Sequence, residues 1–212
     1  MLRVLVTGFR PFGKAEINPT EWLMQALAGS GEVVPGVGIE TLVLDTDYVL
    51  CEEQFRAAWE RFDPAAVLSF GLNMASDEIR LERIAVNIDD ARIADTGGHL
   101  RNGQRIVPDG PVGYWSTLPL AEMHGLLKEA GIPVALSNHA GTYVCNHLFY
   151  YGRHLAETRR QQTPTGFIHV PPFPEQVAGE TGRSGMAPAV LRRAAVLCVE
   201  ATACYLRLEV GG

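Results

Sequence analysis

Long hydrophobic runs and an excess of basic residues are both missing from this sequence of 212 residues. No apolar run approaches the roughly 18 residues that a membrane-spanning helix requires. Lysine and arginine number 18 against 24 acidic residues, so the formal net charge is −6 at pH 7. This acidic balance offers no electrostatic attraction for phosphate backbones or anionic lipids. We therefore expect neither a nucleic acid nor a membrane as a partner.

Cysteine is also scarce, with four residues and no CxxC pair or tight framework spacing. Disulfide scaffolds and zinc sites both rely on close spacing, so we expect reduced thiols, as is typical of a cytoplasmic protein. The chain enters an apolar strand at Leu2 without a basic region or a signal-like apolar stretch, which also favours the cytoplasm. The cysteines are Cys51, Cys145, Cys198 and Cys204.

The sequence further lacks the motifs that bind phosphates or metals. The loop TGFRPFG, at residues 7–13, has no G-x-G-x-x-G spacing, and Pro11 stands where a backbone N–H would reach a pyrophosphate. The histidines His139, His147 and His154 lie eight and seven residues apart, so they form no i, i+4 pair of metal ligands. We predict no metal and no organic cofactor. The two phenylalanines of the loop indicate either an apolar pocket or core packing.

What the sequence does contain is an alternation of strand and helix patterns along its length. Short apolar runs predict buried strands, and apolar residues at helical spacing predict helices. The predicted strands are 2–7, 38–44, 65–70, 83–88, 133–137 and 165–170, and the predicted helices are 19–28, 48–62, 120–130, 142–157 and 187–208. This order favours a single α/β domain over residues 1–212, a three-layer α/β/α fold with a mostly parallel, twisted sheet. The ligand site is expected beyond the carboxyl ends of its strands.

Local signals add detail at the helix starts and in one long connection. Asn18, which is followed by proline, predicts the N-cap of the first helix. Asp45, Thr46 and Asp47 are the candidates for the cap of the second. The polar, glycine-rich stretch 89–113 is too long for an ordinary connection, so we expect it to be functional, partnered or mobile.

Three side chains are candidates for chemistry. Cys145 falls in the first turn of a predicted helix, where the dipole and the free N–H groups favour a thiolate nucleophile. His169 closes the strand 165–170, where a base would face the site. Taken singly, each has a structural alternative: a buried inert cysteine, a hydrogen-bonded core histidine and, for Glu82, a solvated surface carboxylate. The other three cysteines lie within helices among Ala, Val and Leu and are predicted to be buried and inert.

Three segments contain these side chains, ERIAVNIDDARIADTGG, AGTYVCNHLFYYG and GFIHVPPFPEQ, and a fourth, VTGFRPFG with INPTEW, lies at the start of the chain. Together, over residues 2–176, they resemble the pyroglutamyl peptidase I family, also called pyrrolidone-carboxylate peptidases. The resemblance implies a Cys-His-Glu triad with Cys145 as nucleophile, His169 as base and Glu82 as the carboxylate that orients it. For the oxyanion, the candidate donors are the backbone N–H of Cys145 and the guanidinium of Arg92.

A pyroglutamyl group is a neutral lactam, so its pocket should be apolar with a few hydrogen-bonding groups. The sequence departs from the family twice near this pocket. Family members usually carry GQAGGR with a glutamine on the lactam, whereas Leu72 stands at that position here, and VLDT introduces a charged Asp45. Leu72 has no donor or acceptor to offer, so specificity is expected to be affected. The resemblance places around the lactam Phe9, Phe12, Asn18, Tyr143 and Val144.

The activity that the resemblance implies is that of a cysteine exopeptidase, an omega peptidase that cleaves after the N-terminal pyroglutamyl residue of a blocked peptide. It also implies a homotetramer. Two alternatives stay open on the residues. The same triad could act on another small N-terminal acyl group or cyclic amide, or the chain could be a non-catalytic homologue that binds a small ligand.

Overall fold

The computed structural model describes residues 1–13, 16–28, 34–159 and 162–210. A 3-10 turn, Pro174–Gln176, follows the last strand. The helices are α1 (Pro19–Ala28), α2 (Tyr48–Phe62), α3 (Leu120–Glu129), α4 (Val144–Thr158) and α5 (Pro188–Val210). The strands are β1 (Leu2–Phe9), β2 (Val37–Leu44), β3 (Ala66–Leu72), β4 (Ile79–Glu82), β5 (Ile84–Val86), β6 (Gly113–Trp115), β7 (Val134–Ser137) and β8 (Thr165–Val170).

Six of these strands form one sheet in the order β2-β1-β3-β8-β4-β7. Strands β2, β1, β3 and β8 pair in parallel, β4 pairs antiparallel with β8, and β7 pairs parallel with β4. The predicted α/β fold with a mostly parallel sheet is confirmed. The antiparallel step sets Glu82 of β4 opposite Phe167 of β8, two residues before His169.

Helices cover both faces of this sheet, because its central strands carry apolar side chains on both faces. In β1, Val4 and Val6 pack with α1, α3 and α5, whereas Leu5 packs with α2 and α4 on the opposite face. The same alternation divides the residues of β3, which is buried throughout. Two-sided burial fixes the register of the central strands, since a slip by one residue would exchange the two faces.

The strand predicted at 83–88 is wrong in its bounds and in its place. The strand of the large sheet is β4, and the apolar run that follows it forms β5, which pairs antiparallel with β6 in a separate two-stranded sheet. Arg83 joins the two, because its N–H donates to the carbonyl of Ser137 and its own carbonyl accepts the N–H of Ser116. The sequence pattern does not indicate β4, because two of its four residues are charged, although its two apolar residues are fully buried.

The first two helices start at the predicted polar signals. The Asn18 side-chain oxygen accepts the N–H of Thr20 at 3.0 Å, which confirms the N-cap of α1. Among the three candidates at α2, Asp47 is the cap, since its Oδ1 accepts the N–H groups of Val49 and Leu50 at 2.8 and 2.9 Å. Such caps satisfy donors that the first helical turn leaves without a partner.

Helix α5 is the longest element and packs one face into the core. Cys198 lies on that face and is fully buried. The prediction that Cys204 is buried is wrong, because its side chain is exposed on α5. No helix in the described parts of the chain has both the length and the apolar character needed to cross a bilayer.

Candidate active site

A buried histidine and a buried carboxylate meet where β8 and β4 run side by side. His169 Nδ1 lies 2.8 Å from Oε1 of Glu82, and the Glu82 side chain is fully buried. The alternative of a solvated surface carboxylate for Glu82 is therefore wrong. An ionised carboxylate only accepts hydrogen bonds, so Nδ1 carries the proton and Nε2 is left to face other groups. The bond fixes both the tautomer and the orientation of the imidazole.

Cys145 is the second residue of α4, so its thiol lies in the first helical turn. The helix begins two residues later than predicted, because Thr142 is bonded to Asp90 in the adjacent segment of the same chain. Its carbonyl accepts the N–H of Asp90, and its hydroxyl donates to the Asp90 carbonyl. The thiol of Cys145 is half-buried. At this position the positive end of the helix dipole stabilises a thiolate.

The electrostatics of His169 couple it to both neighbours. Burial disfavours the imidazolium, but hydrogen bonds to Cys145 and Glu82 and their negative charges favour it more, so the pKa of His169 is raised from 6.5 to about 9. The imidazolium is therefore the dominant form at neutral pH. A neighbouring imidazolium stabilises a cysteine thiolate, so this coupling is what a Cys–His catalytic pair requires.

Gly71 makes room for this arrangement, although no local sequence pattern indicates that a glycine is needed there. In the β3–β8 pairing it stands opposite His169. A Cβ atom at this glycine would lie 2.9 Å from Sγ of Cys145 and 2.7 Å from the ring of Phe167, closer than real contacts allow. The glycine is needed for space alone, because its φ angle is an ordinary one.

We expect Gly71→Ala to lower kcat by at least about tenfold, because the new methyl group displaces the sulfur of Cys145. Overpacking of this kind costs roughly 1–3 kcal/mol of the free energy of unfolding, measurable by urea denaturation. Gly125→Ala is the matched control, since Gly125 lies within α3 with nothing near its Cβ position. This control should keep kcat and gain stability. Equal kcat in both variants would contradict the packing argument.

A segment of the long 89–113 connection, residues 90–94, runs beside the start of α4. Thr142 holds its first residue, and the Tyr143 hydroxyl donates to the carbonyl of Ala94 at 3.1 Å. Arg92, between these two anchors, has an exposed side chain. Its role as an oxyanion donor stays a prediction. Its neighbour Ile93 is also exposed and lines the adjoining cavity.

This cavity, of about 590 Å³, lies next to the paired strands and is mainly apolar. Phe12 and Leu72 line it, and Leu72 directly follows Gly71; that this cavity holds a lactam stays a prediction. The ring of Tyr143 lies 6.1 Å from that of Phe12, centroid to centroid. The remaining lining residues are Gly13, Glu16, Ile17, Met74, Ile93, Glu175 and Gln176.

The other predicted pocket residues support this region from the core or from its loops. Phe9 and Val144 are buried in the core on the α2 and α4 side of the sheet. The amide of Asn18 is occupied by the cap of α1 and by a bond from Nδ2 to the carbonyl of Arg10 at 3.1 Å. Contact of these residues with a substrate stays a prediction.

Asp45, the charged residue by which the sequence departs from the family near the pocket, has partners of its own. Its carboxylate lies 3.1 Å from Nε of Arg10 and accepts a hydrogen bond from Gln54. It therefore braces the loop after β1 against α2, and its charge is compensated locally.

Potential metal ligands come together away from this site. Among the described residues, the one group of three with its ligand atoms within 4.8 Å of one another is Asp47, Asp95 and His99. Asp47 caps α2, and Asp95 accepts the N–H groups of Tyr48 and His99. These carboxylates thus accept hydrogen bonds from backbone N–H groups. The group includes none of the predicted triad.

A three-layer α/β fold that sets a cysteine at a helix start against a buried histidine–carboxylate pair has the arrangement of a cysteine-type hydrolase. The model of the pyroglutamyl peptidase family matches residues 2–206, and the chain belongs to this family. The predicted family is thereby confirmed.

Individual relatives are similar over almost the whole chain. The pyrrolidone-carboxylate peptidase of Fusobacterium nucleatum is 39% identical, covering 88% of this chain and 86% of its own length, and that of Bacillus cereus is 37% identical, covering 95% and 93%. The crystal structure of pyroglutamyl peptidase I from Bacillus amyloliquefaciens superposes with a TM-score of 0.92 at 30% identity, covering 97% and 98%. The pyrrolidone carboxyl peptidase of Thermococcus litoralis gives 0.94 at 32%, covering 99% and 96%.

Proposed function

We propose that this protein is a cysteine omega peptidase that hydrolyses the bond after an N-terminal pyroglutamyl residue of a peptide. The observation that carries the proposal is the buried Glu82–His169 hydrogen bond beside Cys145, in a chain of the pyroglutamyl peptidase family. The names of the relatives support the substrate class. The mainly apolar surface of the cavity at Leu72 supports an uncharged ring as the bound group.

In the first half of the proposed reaction, the Cys145 thiolate attacks the carbonyl carbon of the pyroglutamyl residue. The negative charge that develops on the carbonyl oxygen is stabilised by the N–H of Cys145 and by Arg92. His169, as imidazolium, then donates its Nε2 proton to the leaving amine nitrogen while the C–N bond breaks. The shortened peptide departs, and the pyroglutamyl group remains as a thioester on Cys145.

In the second half, the neutral His169 takes a proton from a water molecule, whose oxygen attacks the thioester carbonyl. Collapse of this intermediate breaks the C–S bond, releases pyroglutamic acid, which ionises to pyroglutamate in solution, and restores the thiolate–imidazolium pair. Glu82 stays ionised throughout and orients the imidazole. Atoms and charge balance with water as the only co-reactant.

A fluorogenic pyroglutamyl amide tests the activity directly. We expect the wild-type protein to release the fluorophore and to leave the corresponding prolyl amide intact, because proline has a charged amine in place of the neutral lactam. Free pyroglutamate, quantified in the same reaction, should match the fluorophore one to one. A protein that binds the amide without release would be the non-catalytic homologue, and this result would overturn the proposal.

Leu72 supports a second candidate, in which the same triad accepts another small N-terminal acyl group or cyclic amide. Leu72 lines the cavity and offers no hydrogen bond to a ring carbonyl or N–H. We expect Leu72→Gln to raise kcat/KM for the pyroglutamyl amide relative to an acetyl or cyclopentanecarbonyl amide by about 10-fold or more, as one polar contact of 1.4 kcal/mol would do. An unchanged ranking in a panel of these amides would remove Leu72 from the determinants of specificity.

We also propose that the protein is a cytoplasmic homotetramer. Free thiols at all four cysteines support a reducing compartment. Exposed apolar side chains beside the small sheet, Val112 at 79% and Trp115 at 66%, support burial in an assembly. Light scattering coupled to size exclusion tests the assembly, and a monomer mass at micromolar concentration would contradict it. Cell fractionation tests the compartment.

A further inference from the structure

A second buried ion network involves α4 close to the nucleophile. His147, two residues after Cys145, is almost completely buried, and its Nδ1 lies 2.9 Å from Oδ2 of Asp89. Arg101 donates to the same oxygen at 2.8 Å. On the other side of the imidazole, Nε2 lies 3.5 Å from Oε2 of Glu52 on α2. The proposed peptidase chemistry uses none of these groups.

The charges of this network balance when His147 is protonated. Burial disfavours the imidazolium, but the hydrogen bond to Asp89 and the nearby Glu52 carboxylate favour it more, and the pKa of His147 is raised. Two cations then face two carboxylates. Tyr48 completes the enclosure, since its ring packs edge-on against the imidazole and lies 4.5 Å from the Arg101 guanidinium carbon.

Asp89 links this network to the backbone of the 89–113 connection. Its side chain is fully buried, and its other oxygen, Oδ1, has no hydrogen-bond partner among the described residues. Both cationic groups therefore compensate the charge through Oδ2. Removing one member leaves a buried charge without full compensation, which lowers the stability of the folded state. The network therefore fixes the position of residue 89.

The chain that leaves Asp89 is the 90–94 segment, which reaches the candidate pocket. Asp89 and Gln104 exchange backbone hydrogen bonds at 2.7 and 3.0 Å, and the N–H of Ala91 donates to the carbonyl of Arg101. The connection is thus folded on itself and held as a unit by Asp89 and Arg101. On α4, Asn146 holds the preceding stretch through three bonds to residues 86 and 88.

We propose that His147, Asp89 and Arg101 are positioning residues for the substrate pocket, which together hold the 90–94 segment, with Arg92 and Ile93, against the start of α4. The expected change in KM rests on the proposed peptidase function. The expected position of the 90–94 segment does not. Misplacing a pocket wall weakens substrate binding while the Glu82–His169 pair, on other strands, keeps its geometry.

The kinetic test uses Asp89→Asn, Arg101→Gln and the double variant, with His154→Gln as matched control. His154 lies on the same helix and bonds to Tyr114, away from the 90–94 segment. With rates normalised to alkylatable Cys145, we expect KM for a pyroglutamyl amide to rise about 10-fold in each single variant and by far less than 100-fold in the double variant. A merely structural role would lower the number of active sites and leave KM unchanged.

Amide hydrogen exchange separates this inference from the proposed function. Exchange at Asp90 and Ala91, whose N–H groups bond to Thr142 and Arg101, should accelerate at least about 10-fold in Asp89→Asn, while exchange within β3 stays as in the wild type. Unchanged exchange and unchanged KM would overturn the positioning role, as would an equal KM rise in His154→Gln. If the wild-type protein hydrolyses nothing, the function fails and the exchange result alone decides the inference.

Discussion

Cys145→Ser is expected to lower the rate of pyroglutamyl amide hydrolysis by about 10⁴-fold or more, the scale seen when a triad loses its nucleophile. The serine hydroxyl has nearly the size of the thiol, so the half-buried site at the start of α4 keeps its packing. The hydroxyl is a far weaker acid than a thiol, however, and the His169 imidazolium beside it cannot hold it as an anion. The loss is measured as kcat/KM with a fluorogenic amide, at concentrations normalised to folded protein.

Cys204→Ser is the control for this substitution. Cys204 is exposed on α5 and outside the cavity at Leu72, so its replacement should leave kcat and KM unchanged. Circular dichroism and the urea midpoint should agree among the two variants and the wild type. A Cys145→Ser protein that keeps more than about one-tenth of the wild-type rate would show that the reaction proceeds without this thiol.

Glu82→Gln is expected to lower kcat by about 10²–10⁴-fold, as replacements of the orienting carboxylate do in comparable triads. The side chains are nearly isosteric, so the fully buried position stays filled. The amide removes the negative charge 2.8 Å from Nδ1 of His169 and presents that nitrogen with either a donor or a weaker acceptor. Stopped-flow or steady-state kinetics at saturating substrate measures the effect.

The pH dependence of kcat/KM provides a second, independent test of the Glu82→Gln substitution. The pKa of His169 is about 9, so the wild-type alkaline limb of kcat/KM should fall near that pH as the imidazolium is lost. Because this pKa is raised above 6.5, the stability that the charge contributes is complete below about pH 6.5 and disappears as the pH rises through about 9. Loss of the Glu82 charge lowers this pKa, so the alkaline limb of Glu82→Gln should move to lower pH.

Glu157→Gln provides the matched control, since Glu157 is exposed and pairs with Arg153 far along α4. Its kcat and its alkaline limb should equal those of the wild type. If Glu82→Gln also kept both, the catalytic unit would be a Cys–His dyad, and the buried carboxylate would serve only the packing of β4.

Local sequence signals accounted for much of the fold because the responsible interactions are local. The strand predicted at 165–170 has those bounds in the structure, and the helix predicted at 19–28 begins after its Asn18 cap. The same signals put Cys145 in a first helical turn. In each case the capping group or the apolar run lies within a few residues of the element that it defines.

The parts that escaped prediction depend on contacts between distant residues. Glu82 and His169 lie 87 positions apart, and nothing near Glu82 indicates that β4 turns antiparallel to β8 and buries the carboxylate. The need for a glycine at position 71 arises only when Phe167 and Cys145 arrive beside it. The resemblance to a family supplied the role of Glu82, which its local pattern would have assigned to the surface.

Selective alkylation of Cys145 in parallel with loss of activity is the measurement that tests the central claim most directly. Burial raises the pKa of the Cys51 thiol and raises that of Cys198 to about 12, so neither should react near neutral pH. A Cys204→Ser background removes the exposed thiol. With limiting iodoacetamide at pH 7, peptide mapping should find one carboxamidomethyl group, on Cys145, and hydrolysis of the pyroglutamyl amide should fall in proportion to its incorporation. Full activity in protein whose Cys145 is completely labelled, or equal slow labelling of all three remaining cysteines, would contradict the account.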